Sequence, residues 1–287
     1  MKTKRELLFD LLDKNISILR CPICMSELSY NNGSLICSKR HLFDISKKGT
    51  VLLHKKYQKK IDSIYTKELF ENRRFFIKAG FYTEIYNYIS DLIFGNSNNP
   101  KILDLGSGEC SHLQRIKNNR DITAIGIDLS YDAINLATDY LVDGILPICC
   151  DLFNLPFKSK VFDVVLNFLS PINSFEADRI LKDDGIIIKV IPTKNYLKEL
   201  RSYLGFQEYS KEVEILSNLQ EHYSISSIER IENIKPLTEE TVNSLFYMTP
   251  MTNHSENIIK SINNANFDQI TISLDIVLLR KKHIQVQ

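Results

Sequence analysis

The chain has 287 residues, 44% hydrophobic and 25% charged, an ordinary globular composition with room for one large domain and one small one. No apolar run approaches the ~20 residues of a bilayer span, and Asp10 and Asp13 interrupt the N-terminal leucines. Neither a membrane segment nor a secretory leader is therefore expected, and the cytoplasm is the expected compartment. The net charge of +1 is uninformative, but its distribution is not: residues 1–60 hold 13 Lys/Arg against 5 Asp/Glu, and the rest hold 23 against 30. A basic segment on an acidic body points to a polyanionic partner, with a merely solvated surface as the bland alternative.

In chain order, Leu7, Leu8, Leu11 and Leu12 predict an amphipathic helix. Cys21-Pro22-Ile23-Cys24 follows, then Cys37 and His41. Three thiolates and one imidazole at this spacing suit a tetrahedral, structural Zn²⁺ held by Cys21, Cys24, Cys37 and His41. A segment of this length buries little core, so a metal staple makes physical sense. A disulfide is the rival, but it leaves His41 unexplained and needs an oxidising compartment. Lys39, Arg40, Lys47, Lys48, Lys55 and Lys56 surround the cluster, with Phe43 and Tyr57 among them. Phosphate contacts and base stacking on RNA are the expected use of that mixture.

Thr66–Ala79 has helical periodicity, carries Arg73 and Arg74 and ends at Gly80; a second helix is predicted over Tyr82–Phe94. Arg73 and Arg74 are candidate RNA phosphate ligands, with helix-surface ion pairs as the alternative. These helices are expected to roof the pocket formed by what comes next. Ile102–Glu109 reads as a buried strand running into Gly106-Ser107-Gly108, with a helix opening near Glu109. Such a strand–loop–helix places a nucleotide at the carboxyl end of the strand. The dinucleotide fingerprint fails, because Ser111 stands where its third glycine belongs. Asp104, just before the loop, instead resembles the first motif of class I methyltransferases, which bind S-adenosylmethionine. A plain strand–helix turn is the remaining alternative.

A second strand, Ile122–Ile127, ends at Asp128, placed for ribose hydroxyls, and Ser130 predicts the next N-cap. Strand Ile145–Cys150 ends at Asp151-Leu152, candidates for the adenine. Strand Val161–Leu166 is followed by Asn167–Pro171, in which Asn167, Phe168 and Pro171 are candidates for the target-base pocket, with a simple strand-to-helix connection at Pro171–Ser174 as the alternative. Strand Ile186–Ile191, helix Asn195–Leu204, strand Tyr223–Ile234, helix Thr238–Phe246 and strand Ile270–Leu279 complete the series. The expected fold is a Rossmann-like class I methyltransferase with a seven-stranded sheet, its last strand antiparallel, plus a small N-terminal zinc-binding domain. The expected domains are 1–60, zinc and RNA recognition; 61–97, a helical connector; and 98–287, the methyltransferase. Cys110, Cys149 and Cys150 read as buried structural thiols.

Four motifs occur in a fixed order: the Cys21–His41 knuckle, Arg-Arg-x-Phe at Arg73–Phe76, Ala-Gly-x-Tyr at Ala79–Tyr82, and Asp-x-Gly-x-Gly-Glu at Asp104–Glu109. Together they resemble the bacterial 23S ribosomal RNA guanine-N1 methyltransferases, a family that includes macrolide-resistance members. Weaker matches at Leu155–Phe157, Ser170-Pro171, Leu197–Leu200 and Met248–Pro250 extend the resemblance over nearly the whole chain. The resemblance implies methyl transfer from S-adenosylmethionine to N1 of a guanine in a 23S rRNA hairpin loop, and a homodimer. It also implies cofactor contacts at Tyr82, Gly108 and Glu109, and places Tyr196 where the family has a histidine. Two other classes stay open: a non-catalytic RNA- or protein-binding module on a degenerate methyltransferase fold, and a small-molecule or protein methyltransferase with a zinc-bearing substrate domain.

Overall fold

The computed structural model describes residues 2–31, 33–54, 65–95, 99–207, 209–252, 262 and 265–282. The chain begins with α1 (Lys4–Asn15), whose N-cap Thr3 accepts from the Glu6 backbone N–H while Glu6 reaches back, a reciprocal cap. Its Leu8 and Leu12 are fully buried. A three-stranded antiparallel sheet follows, β1 (Leu28–Asn31), β2 (Ser34–Cys37) and β3 (Leu42–Asp44), and then the short β4 (Val51–Leu52). The connector supplies α2 (Lys67–Lys78) and α3 (Thr83–Phe94).

The remainder alternates strand and helix: β5 (Ile102–Leu105), α4 (Ser111–Lys117), β6 (Ala124–Asp128), α5 (Tyr131–Ala137), β7 (Ile145–Cys149), β8 (Phe162–Phe168), α6 (Ser174–Ile180) and β9 (Leu181–Pro192). After these come α7 (Lys198–Tyr203), α8 (Glu212–His222), β10 (Tyr223–Pro236), α9 (Glu239–Met248) and β11 (Gln269–Lys281). The main sheet runs β10-β11-β9-β8-β5-β6-β7-β4, parallel except where β11 lies antiparallel between β10 and β9.

The sheet has eight strands rather than the seven expected. The additional strand is β4, which comes from the N-terminal module and pairs in parallel with β7 through Val51↔Ile148 and Leu52↔Cys149. The run Gly49–Leu53 reads as strand-like on its own, but only the fold shows that its Val51 and Leu52 complete the otherwise open edge of β7. The helix α8 is not among the elements read from the sequence, whereas α6 follows directly on the Pro171–Ser174 connection. The strand expected to end at Leu166 continues through Asn167 and Phe168.

Strand alternation sorts the core onto two faces. Leu103, Leu105, Ile125, Ile127 and Val165 pack with α1 and the zinc module, in one continuous cluster that includes Leu8, Leu19, Leu28 and Leu35. Ile102, Ala124, Val164, Leu166 and Ile188 pack instead with α3, α4 and α9. Further bonds lock the module to the body: Arg20 N donates to Pro156 O at 2.9 Å, Leu53 N to Cys149 O at 2.8 Å, and Asn154 Nδ2 to Pro22 O at 2.8 Å. Among the described residues, no helix is long and apolar enough to cross a membrane.

Candidate cofactor pocket and zinc centre

The glycine loop joins β5 to α4, and its conformation explains its composition. Gly106 has φ +73° and Gly108 φ +55°, a left-handed backbone that glycine adopts without steric cost. A Cβ on Gly106 would lie 2.4 Å from Ser170 Oγ, and one on Gly108 would lie 3.3 Å from the Phe70 ring. Gly108 N donates to Asp128 Oδ2 at 2.9 Å and Ser130 N to Asp128 Oδ1 at 2.8 Å, so the end of β6 holds the loop of β5 in place. Each Asp128 oxygen keeps acceptor capacity beyond that one bond. Burial raises the Asp128 pKa against the pull of these N–H groups.

The loop forms the floor of a cavity of about 1240 Å³, larger than most single-ligand sites. Of the expected cofactor residues, Tyr82, Gly106, Gly108, Glu109, Asp128, Asp151, Leu152 and Tyr196 all line it. Tyr82 and Tyr196 meet hydroxyl to hydroxyl at 2.8 Å, so the tyrosine at the family's histidine position joins the other inherited contact directly. Of the two helices expected to roof the cavity, α2 lines it through Phe70 and Arg73, while α3 contributes only its N-cap residue Tyr82; the zinc module contributes Ile23, Leu52 and His54 to the wall.

Several expected residues stand elsewhere. Asp104 lies behind the loop, fully buried, and neither carboxylate oxygen has a hydrogen-bond partner among the described residues. Burial pushes its pKa up to about 8, with the Asp128 charge adding to this. The folded protein thus holds this proton up to about pH 8, whereas the unfolded chain releases it near its ordinary value. This group therefore costs stability as pH rises between those points. Replacing Asp104 by Asn should gain stability over the wild type on going from pH 5 to pH 8, by up to about 4 kcal/mol. Urea denaturation at the two pH values checks this; parallel curves would contradict it.

Asn167 also lies outside the cavity wall. Its Nδ2 donates to Leu105 O at 2.7 Å and Pro171 O at 3.1 Å, while its Oδ1 accepts from the buried Lys189 ammonium, which also reaches Ser170 O. Asn167 therefore scaffolds the loop after β8 from within the strand, and Phe168, Leu169, Ser170 and Pro171 present that loop to the cavity. Burial lowers the Lys189 pKa to about 8.

One wall residue went unnoticed in the sequence. His112 stacks on Phe168 with centroids 4.0 Å apart, and its Nδ1 meets Tyr86 Oη at 2.8 Å. Burial lowers its pKa to about 3, with Arg73 adding to this, so the ring is neutral. Its place on the first turn of the helix after the glycine loop was the available signal, since that turn faces the crevice.

The two arginines of α2 part ways. Arg74 donates through Nε to Glu109 Oε2 at 2.7 Å and through Nη1 to Asp139 Oδ2 at 2.6 Å, over the Tyr140 ring. Its guanidinium thus ties α2 to the glycine loop and α5 rather than standing free for RNA, and Glu109 has this pairing as its main engagement. Arg73 points into the cavity.

In the module, Cys21, Cys24, Cys37 and His41 bring one ligand atom each within 4.8 Å of the others. Cys24 Sγ lies 3.6 Å from Cys37 Sγ, and His41 Nδ1 lies 3.5 Å from Cys21 Sγ and 3.3 Å from Cys37 Sγ. A tetrahedral ion with Zn–S near 2.3 Å separates its sulfurs by about 3.8 Å, so the four donors fit zinc. The Ile23 and His41 backbone N–H groups donate to Cys21 Sγ and Cys37 Sγ, orienting the thiolates. Lys39, Arg40, Lys47 and Lys48 are exposed on the module surface. Lys55, Lys56 and Tyr57 lie outside the described residues. Phe43 is buried in the core and unavailable for stacking; among the described residues, the exposed large apolar and aromatic groups at the cavity are Ile23, Tyr65, Leu129, Tyr131 and Phe153.

Parallel strands with a reversed final strand, a glycine loop after β5 and acids at the next two strand ends define a class I methyltransferase, whose methyl donor is S-adenosylmethionine. Residues 102–183 match the family model described as a methyltransferase domain, and residues 19–59 match the zinc ribbon described as RlmA, N-terminal. The chain belongs to the family of 23S rRNA (guanine-N1)-methyltransferases. It is 32% identical to the Bacillus subtilis protein YxjB, named as a candidate 23S rRNA (guanine-N(1)-)-methyltransferase, over 92% of this chain and 97% of that one. It is 24% identical to the 23S rRNA (guanine(748)-N(1))-methyltransferase of Streptomyces fradiae, over 84% of this chain and 88% of the relative.

Proposed function

We propose that this protein transfers the methyl group of S-adenosylmethionine to N1 of a guanine in a 23S rRNA hairpin loop, in the cytoplasm. The observation that carries this reading is the joining, in one chain, of the glycine-floored cavity to a basic zinc module whose own Ile23 and Leu52 form part of the cavity wall. On this reading residues 1–60 recognise RNA, 61–97 connect and roof, and 98–287 hold the cofactor. Asp128 accepts from the ribose, Asp151 and Leu152 hold the adenine, and the Gly106–Gly108 backbone approaches the methionine half. Bound S-adenosylmethionine supplies an electrophilic methyl on a sulfonium. The chain's own contribution is alignment and exclusion of water. Phe168 and Pro171 wall the acceptor side, and a base leaving its stack would enter past Ile23 and Phe153. A loop is favoured because an unpaired guanine exposes N1, which pairing blocks.

Replacing Lys39, Arg40, Lys47 and Lys48 together by Ala should weaken binding to a 23S rRNA hairpin and reduce the slope of affinity against salt by about three, at ~0.7 per lost phosphate contact on single-stranded RNA. Affinity for S-adenosylhomocysteine should be unchanged. Unaltered RNA binding and salt slope in the variant would argue against the module as the RNA-reading surface and favour a non-RNA substrate.

A further inference from the structure

The cavity wall is acidic. Glu109, Asp128, Asp132 and Asp151 all line it, and Arg73 is the one side chain among the described lining residues that bears a fixed positive charge. No carboxylate among the described residues lies within ion-pair distance of Arg73. Its guanidinium sits 5.5 Å from the Phe70 ring centroid and donates through Nη2 to Met248 O at 3.3 Å, which leaves most of its five donors uncommitted. Its neighbour Arg74, by contrast, is saturated by Glu109 and Asp139.

The position of Arg73 narrows what it can bind. The main sheet places β7, β6, β5 and β8 side by side in that order. A ligand crossing their carboxyl ends with adenine at Asp151 just after β7 and ribose at Asp128 of β6 has its amino-acid tail over the β5 loop, at Gly106–Gly108. Arg73 Nη1 lies 3.8 Å from the point a Gly108 Cβ would occupy. That tail ends in an α-carboxylate, and an anion entering an acidic, partly desolvated cavity requires a cation there.

We infer that Arg73 is the carboxylate clamp of the cofactor site, holding the amino-acid carboxylate of S-adenosylmethionine rather than a phosphate of the RNA. This rests on the reading of the cavity as an S-adenosylmethionine site. Phe70 stacks the guanidinium and Met248 O fixes one edge, so the remaining edge presents paired donors to a carboxylate. Lysine keeps the charge but lacks that paired geometry.

Calorimetry with the full chain tests the inference with two ligands, S-adenosylhomocysteine and its decarboxylated form, which keeps the amine. Arg73→Met preserves the apolar stem over Phe70. It should weaken S-adenosylhomocysteine about 10- to 100-fold, the usual cost of losing a charged hydrogen bond, and leave the decarboxylated ligand within about twofold of wild type. Arg73→Lys should fall between. Equal losses for both ligands, or no loss for S-adenosylhomocysteine, would overturn the clamp. So would a Met variant with intact nucleoside binding whose defect appears only in rRNA affinity, which would make Arg73 a phosphate ligand. Wild-type protein that binds neither nucleoside would overturn the cofactor-site reading itself, a result distinguishable from failure of the clamp alone.

Discussion

Replacing Cys37 by Ser should take the protein from about one bound zinc per chain to essentially none and disrupt more than the N-terminal module. Structural zinc contributes on the order of 10–16 kcal/mol of folding free energy to small modules, and Cys37 lies within contact distance of two other ligand atoms. The module shares one hydrophobic cluster with the main sheet through Leu19, Leu28 and Leu35. It also completes that sheet through β4 and supplies Ile23 and Leu52 to the cavity. Loss of zinc is therefore expected to lower the thermal transition and weaken S-adenosylhomocysteine together. Elemental analysis, a melting curve and calorimetry read the three effects. A Cys37→Ser protein that keeps its zinc would contradict the ligand set.

Gly106→Val should abolish measurable cofactor binding, a loss of at least about 100-fold. A β-branched residue at φ +73° costs roughly 1–2 kcal/mol in backbone strain alone. Its Cβ would also meet Ser170 Oγ at 2.4 Å and Ser170 Cβ at 2.7 Å. Ser170 cannot move aside without breaking two bonds, because its hydroxyl donates to Leu105 O at 2.7 Å and accepts from Asn167 Nδ2 at 2.6 Å. The clash therefore propagates into the loop that faces the acceptor. Calorimetry with S-adenosylhomocysteine checks the effect. The double variant Gly106→Ala with Ser170→Gly should recover part of the affinity lost in Gly106→Ala, because it removes the struck atoms. No recovery would place the defect in backbone strain alone.

What the sequence revealed was local. The glycine loop, the cysteine–histidine tetrad and the alternation of strands and helices are each written in a few neighbouring residues, and the fold class follows from them. What it concealed depends on contacts between distant segments. Arg73 and Arg74 are adjacent and alike on paper, and only the packing of α2 against α4 and α5 sends one to Glu109 and Asp139 and the other into the cavity. Asn167 reads as a loop residue until β8 is seen to extend past it, with Lys189 and the Leu105 carbonyl claiming its amide. Cys110, Leu169 and Leu197 have φ of 66°, 50° and 54° beside the site. Their side chains do not favour that backbone, and the surrounding structure imposes it, which local propensity cannot foretell. The eighth strand of the sheet has the same origin: Gly49–Leu53 reads as strand-like locally, but its pairing with β7 depends on a distant segment.

The measurement that tests the central claim most directly is a methyl-transfer assay with unmethylated 23S rRNA and S-adenosylmethionine labelled in its methyl group. The RNA is then digested to nucleosides and the labelled product identified. The account predicts label in 1-methylguanosine, mapping to one hairpin loop and lost in Gly106→Val. Label in another nucleoside, or in a protein or small molecule with none in 1-methylguanosine, would contradict it.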